Sequence, residues 1–198
     1  MKLRLTSSDL PDGWNSRPLK RLLREPLKYG ANESGGLSDP SCPRYIRITD
    51  FGSDGKLRQD TFASLPSEVA EDYLIDKGDL LFARSGATVG KCYYYDGTAG
   101  PACFAGYLVK ASTRVTKLNS RFLYHFTNSP QYSGWRDSSF VQATIENIGA
   151  RRYGYLPVPL PTILEQNRIA AYLDVSCAAI DRAVDKKQKQ LETLDDLR

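Results

Sequence analysis

The order of apolar and polar positions divides the chain into two unlike parts. Between about residues 18 and 155 apolar residues come in short runs separated by Gly, Pro, Asn and Asp, whereas after residue 162 they recur at helical spacing without interruption. In the first part LLFAR (80–84), KCYYYD (91–96) and FAGYLVKA (104–111) are rich in aromatic and branched residues and are bounded by turn signals, which predicts short strands. RYIRIT (44–49) alternates in the strand manner. Along Tyr93-Tyr94-Tyr95 successive side chains must face opposite sides, so strand and core packing is expected ahead of base stacking. Residues 18–25 predict a short helix, and GANESGGLSDPSCP (30–43) a loop. Asn119 or Ser120 is placed to cap a helix reaching Thr127, and Ser129-Pro130 repeats the start signal with proline at the first helical position.

The second part begins at LPVPLPT (156–162). Proline at 157, 159 and 161 fixes φ three times and removes three amide donors, so this segment must be an extended strap. Thr162 and Glu165 then form a T-x-x-E capping pattern, in which each side chain meets a free amide at the start of a helix. With Ile163 at heptad position a, the a and d positions include Ala170, Leu173, Cys177, Ile180, Val184, Leu191 and Leu194. A helix of this length, about 55 Å at 1.5 Å per residue, cannot lie wholly against one small domain and should pair with another helix. Position e carries Asp174, Asp181 and Asp195, which disfavours antiparallel pairing with an identical helix. The expected fold class is α+β: a mixed globular domain over 1–155, a proline strap over 156–162 and a coiled-coil helix over 163–198.

Composition agrees with a folded chain and narrows the chemistry. The 198 residues are 41% hydrophobic, 25% charged and 11% aromatic, with a mean hydropathy of −0.43. No apolar run approaches the roughly 18 residues that would cross a bilayer, and the N-terminal stretch lacks a secretory apolar core, so a cytoplasmic location is expected. Four cysteines without a C-x-x-C pair, and a single histidine at 125, do not supply a structural zinc site. The formal charge is +4, and residues 1–30 alone carry seven basic and three acidic side chains. Two basic clusters, Arg17, Lys20, Arg21, Arg24 and Lys28, and Lys110, Arg114, Lys117 and Arg121, suit a polyanion whose neutralised phosphates release counterions. Solvated helix and strand faces give such clusters as well.

Enzyme motifs mostly fail. GATVGK (86–91) has three residues between its glycines and cysteine after the lysine, which is not a phosphate loop. Dinucleotide, zinc-protease and serine-hydrolase signatures are absent from the sequence. Asp12, Asp54 and Lys56 formally resemble the scattered elements of a Mg²⁺ nuclease, yet each Asp precedes a glycine, as turn chemistry alone selects.

Taken together, LPDGW (10–14), PRYIRITD (43–50), GDLLFARSGATVGK (78–91), FAGYLV (104–109) and LPVPLPTILEQNRIAAYLD (156–174) closely resemble specificity (S) subunits of type I restriction-modification systems. The resemblance implies a non-catalytic protein that reads one half of a bipartite DNA site through a target recognition domain, with the C-terminal helix as half of an antiparallel spacer. It implies as partners double-stranded DNA, a methyltransferase (M) subunit, a restriction (R) subunit, and a second S half or second recognition domain. It implies no cofactor on this chain, with S-adenosylmethionine, Mg²⁺ and ATP on the partner subunits. One recognition domain and one spacer helix fit this length, where a complete S subunit has two of each.

On that reading the DNA-contacting candidates are Arg84, Ser85, Thr88 and Lys91 in the glycine loop, Lys110, Arg114, Lys117 and Arg121, the adenine-reading amides Gln142 and Asn147, and Arg151 with Arg152. For the glycine loop, a hairpin in which Arg84 pairs with a nearby Asp explains the same residues; for Gln142 and Asn147, a capped turn does. The candidate partner-helix interface is Leu173, Cys177, Ile180, Val184, Leu191 and Leu194. A protein-interaction module using the same helix without touching DNA is the competing function.

Overall fold

The computed structural model describes residues 10–33, 37–52, 55–139 and 147–196, with side chains through 193 in the last helix. Its centre is a four-stranded antiparallel sheet in the order β2-β7-β4-β5, built from Lys28–Tyr29, Leu108–Ala111, Leu80–Ala83 and Cys92–Tyr94. All four residues of β4 are buried, and the pleat divides them between two cores. Leu80 and Phe82 face a helical layer, where they meet Phe122, Leu123, Trp135 and Tyr153. Leu81 and Ala83 face the other way, towards Ile46, Phe104, Tyr93 and Tyr95. A continuous apolar run, rather than an alternating one, is what a strand covered on both faces requires.

The helical layer is α2 (Ser120–Phe126), α3 (Pro130–Ser138) and α4 (Ala150–Gly154), after the single turn α1 (Ser67–Ala70). Both predicted caps form: Asn119 Oδ1 accepts the Phe122 amide at 2.9 Å, and Ser129 Oγ accepts the Tyr132 amide at 3.3 Å. Tyr93 and Tyr95 are buried on one side while Tyr94 packs across Tyr124 on the other, as the alternation required.

Three local expectations are corrected. RYIRIT gives only the strand β3 (Arg44–Ile46), buried at every position and paired in parallel with β6 (Ala102–Phe104), before a 3-10 turn at Ile48–Asp50. FAGYLVKA is two strands, because the chain turns at Gly106 between β6 and β7. The segment 18–25 forms only a 3-10 turn, Leu19–Arg21.

Gly30 marks the tightest crossing. A Cβ there would fall on the Phe104 carbonyl and within 2.6 Å of the Ala105 carbonyl carbon, beside the Ala31 amide donating to Phe104 O at 2.8 Å.

The proline strap is extended, as expected, and it has a sheet partner in the domain. As β8 (Pro157–Leu160) it pairs antiparallel with β1 (Asn15–Pro18), Arg17 opposite Val158. The prolines fall on alternate positions, so the amides of Val158 and Leu160 remain for the ribbon. Helix α5 (Ile163–Asp196) follows directly. Thr162 caps it, Oγ1 accepting the Glu165 amide at 3.3 Å, but the other half of the expected capping box does not form. The Glu165 carboxylate instead accepts the Trp14 indole N–H at 3.2 Å, which ties the helix to the start of β1.

The root of α5 docks on α2 and its distal half stands free. Ala170 is buried and Ile169 half-buried, whereas every residue from Cys177 to Thr193 is exposed. No helix among the described residues is long and apolar enough to cross a membrane.

Glu25 anchors a charge cluster below the sheet, accepting from Lys28 Nζ at 2.7 Å, Ser112 Oγ at 3.1 Å and Lys110 Nζ at 3.3 Å. The Lys28 hydrogen bond, with Lys110 and Ser112 and against partial burial, lowers its pKa from 4.5 to about 2. A carboxylate depressed in the folded state stabilises above its unfolded pKa and loses that contribution as pH falls through the folded one. The stability advantage of the wild type over Glu25→Gln should therefore be full above pH 4.5 and vanish towards pH 2 in thermal melts. With Glu25 partly solvated, its size should be below about 3 kcal/mol. An advantage that does not change over this range would refute the assignment.

Candidate functional site

Tertiary structure brings the two basic sequence clusters together and then neutralises much of them. The residues after β1 run beside the end of β7, with Leu23 bridged to Thr113 and the Arg114 amide donating to Leu22 O at 2.8 Å. Within this pair of segments Arg24 binds Asp76 at 2.6 Å and Lys28 binds Glu25. Lys110 is corrected as a surface contact: its ammonium is buried among Leu74 O at 3.2 Å, Glu25 and Asp79, because β7 is an inner strand. Arg121 is half-buried, paired with Asp174 of α5 and set over the adjoining rings of Tyr94 and Tyr124 at 4.7 and 5.1 Å.

Arg17, Arg21, Arg114 and Lys117 remain exposed and without a carboxylate partner among the described residues. Arg17, Arg21 and Lys117 line an open groove of about 750 Å³ with Pro161 and Ile163, where the ribbon meets the root of α5. Its charge is wholly positive. Lys20 lies 3.7 Å over the Tyr155 ring, and its hydrogen bond to that phenol lowers the tyrosine pKa.

A second surface forms at the end of β4. The backbone of Arg84 is held on both sides, its amide donating to Tyr107 O at 3.0 Å and its carbonyl accepting from Ile148 at 2.8 Å. Its guanidinium lies 4.7 Å over the Tyr29 ring, and Nη1 reaches Gly106 O at 3.5 Å. Tyr29 is fixed in turn, its hydroxyl accepting the Ala150 amide at 2.9 Å. The alternative reading, an Arg84–Asp pair, has no partner among the described residues. Ser85 bridges Asn147, which is exposed, and Tyr107 is 61% exposed beside them. The loop between them turns tightly at Gly86 and Gly90, where φ is +76° and +84°. Thr88 is half-buried within it, with an unpartnered Oγ1, and Lys91 is exposed. Arg151 is exposed, while Arg152 donates to Ser139 Oγ at 3.1 Å. Gln142 and Asp54 lie outside the described residues, as does the side chain of Leu194. Tyr29 and Tyr107 were missed from sequence, where each reads as an ordinary aromatic strand residue.

The junction of α2 and α5 is polar and specific. Gln166, 1% exposed, accepts the Asn119 amide at 2.9 Å and donates to Lys117 O at 3.1 Å and Pro161 O at 3.0 Å. Asn119 Nδ2 donates to Asn167 at 2.7 Å. Two turns further, Asp174 binds Arg121 and lies 2.7 Å from His125 Nε2. Partial burial pushes its carboxyl up, but the hydrogen bonds from Arg121 and His125 outweigh this and hold it below the usual range. Asp174 therefore does not stand as an unpaired acid at position e, which weakens the expected repulsion between like helices. Leu173 is half-buried, whereas Cys177, Ile180, Val184 and Leu191 form an open stripe, the last three 62%, 53% and 63% exposed. A second outward stripe, Leu164, Tyr172 and Val175, escaped the heptad reading.

Nucleophile or metal chemistry finds little support in these groups. His125 is engaged with Asp174, and burial pushes the Cys103 thiol up to about 12, away from the thiolate. Among the described residues no three His, Cys, Asp or Glu side chains are grouped to hold a metal ion.

Residues 26–193 match the family model of the type I restriction modification DNA specificity domain. The chain is 26% identical over 179 residues to the type I restriction enzyme StySPI specificity subunit of Salmonella potsdam, covering 87% of this chain and 38% of that one. It is 28% identical over 189 residues to the EcoKI specificity subunit of Escherichia coli (strain K12), covering 89% and 39%. It thus spans about two fifths of these curated relatives. Among solved structures it superposes on a chain from the study of complex assembly and conformational transition of the type I R-M system with a TM-score of 0.69 at 22% identity, covering 96% of this chain and 46% of that one. On the HsdS subunit from Thermoanaerobacter tengcongensis the TM-score is 0.62 at 22% identity, covering 91% and 42%.

Proposed function

Because this chain belongs to the type I restriction modification DNA specificity domain family, we propose that it is a non-catalytic DNA reader that recognises one half of a bipartite duplex target. The observation that carries this is the family match itself, which runs from β2 through the exposed half of α5 and so takes in both the domain and the helix. Two surfaces serve the reading. Arg17, Arg21, Arg114 and Lys117 are the unneutralised cations suited to phosphates, whose contacts fix register without carrying sequence. Arg84, Asn147 and Arg151 are the side chains we assign to base edges.

The exposed stripe of α5 packs on a second helix of the same kind, antiparallel, on a second copy or a second recognition domain. The methyltransferase and restriction subunits bring the chemistry, with S-adenosylmethionine, Mg²⁺ and ATP bound there, in the cytoplasm. Leu164, Tyr172 and Val175 give α5 a face for one of these subunits while the heptad stripe is occupied.

Selection from a randomised duplex pool at two salt concentrations tests this reading. Enrichment of a short sequence, with affinity falling about tenfold or more per fourfold rise in salt, is expected for several phosphate contacts. Sequence-independent or salt-insensitive binding would instead favour a pure assembly module. Two copies of the enriched sequence at fixed spacing would place the second helix on a second copy, and Ile180→Asp should then abolish the spacing but keep the half-site.

A further inference from the structure

A guanidinium drawn partly out of water needs acceptors or a counter-charge, because its desolvation is otherwise uncompensated. Most of the other half-buried or buried cations around the sheet meet that need with carboxylates, Lys110 with Glu25, Arg47 with Asp50, Arg121 with Asp174 and Arg136 with Asp137; Arg44, whose Nε is also buried without an acceptor, gives its Nη2 to the Arg58 carbonyl at 2.5 Å. Among the described residues Arg84 has neither a carboxylate nor a close carbonyl: its hydrogen bond there is the 3.5 Å contact to Gly106 O, its Nε is buried without an acceptor, and its remaining partner is the face of Tyr29. Stacking lends the cation some stabilisation but accepts none of its in-plane N–H bonds.

The group is nevertheless held in place. Its backbone is pinned by Tyr107 and Ile148, and the ring beneath it is anchored through the Tyr29 hydroxyl to Ala150. A side chain fixed in this way loses little rotamer freedom when it binds, which is the arrangement of a recognition group rather than of a mobile phosphate contact.

We infer that Arg84 is a specificity-determining residue that takes the O6 and N7 acceptors of a guanine in the target duplex, with its plane set by Tyr29. A planar fork matches that pair of coplanar acceptors, whereas phosphates are met by the exposed, unstacked Arg17, Arg21 and Lys117. This inference rests on the proposal that the domain reads duplex DNA, and it adds which base is read and by which side chain.

Duplex-pool selection on the full chain, comparing wild type with Arg84→Ala, Arg84→Lys and Tyr29→Leu, separates the two. The wild-type target should contain one G·C pair whose preference over the other three pairs falls about tenfold or more in Arg84→Ala, with the rest of the target unchanged. Arg84→Lys keeps the charge but not the fork and should lose the same preference. Tyr29→Leu should weaken it at that position alone, a change that general loss of folding would not produce. If Arg84→Ala weakens all sequences alike, or leaves the target and affinity unchanged, the guanine assignment is wrong while DNA reading stands. A wild type that enriches no sequence overturns DNA reading and this inference with it.

Discussion

Gln166→Ala should cost about 3 kcal/mol of stability, measured by urea or thermal denaturation, and should loosen α5 from the domain. The side chain closes three hydrogen bonds at once, to the Asn119 amide and to the carbonyls of Lys117 and Pro161, all at a buried junction. Truncation leaves these backbone groups unpaired, and each unsatisfied buried group costs roughly 1–3 kcal/mol, reduced where water enters the space left behind. Gln166→Leu should not rescue, since the partners are main-chain atoms that no second substitution can make apolar. Gln166→Glu keeps an acceptor for Asn119 but turns its other oxygen towards two carbonyls, so it should fall no closer to wild type than alanine. Amide hydrogen exchange at Asn119 provides the local readout. Protection there that survives in Gln166→Ala would show that α5 is held by its apolar contacts instead.

Gly30→Ala is expected to be more damaging still, about 3 kcal/mol or more, at the upper end of what overpacking costs. The added carbon meets main chain, the Phe104 carbonyl and the Ala105 carbonyl carbon, and neither can rotate aside. Relief requires separating the strands where the Ala31 amide bonds Phe104 and the Gly106 amide bonds Ala31 at 2.7 Å. Gly100→Ala is the control. Gly100 has φ +73° and nothing within 4 Å of a new Cβ, so it should lose only the roughly 1 kcal/mol of a left-handed residue. Denaturation midpoints that rank the two variants the other way would refute the crossing as the reason for glycine at position 30.

How much of this was legible in the sequence depended on whether the signal was local. The caps at Asn119 and Ser129, the extended proline strap and the uninterrupted helix after it follow from neighbouring residues alone, and all are found. The pairing of that strap with β1, some 140 residues earlier in the chain, had no local sign. Nor did the fate of the charges. Lys110 and Arg121 look like Arg114 and Lys117 in sequence, and only the acids Glu25, Asp79 and Asp174, supplied by distant segments, neutralise them. With Ile163 at position a, Gln166 falls at position d, and nothing local shows that it is the polar hub of the junction. Arg84 could be named from its own loop, but the ring it stacks on, Tyr29, arrives from a strand more than 50 residues away.

The way α5 is mounted makes it a lever with unequal arms. About 18 Å of helix, Ile163 to Asp174, is gripped by α2, and about 33 Å beyond it is unsupported, at 1.5 Å per residue. With Asp174 as the pivot, a slip of one ångström at Gln166, about 12 Å away, is therefore magnified to nearly three at the far end, so the accuracy with which this helix places anything attached to its tip is decided by two side chains at its base.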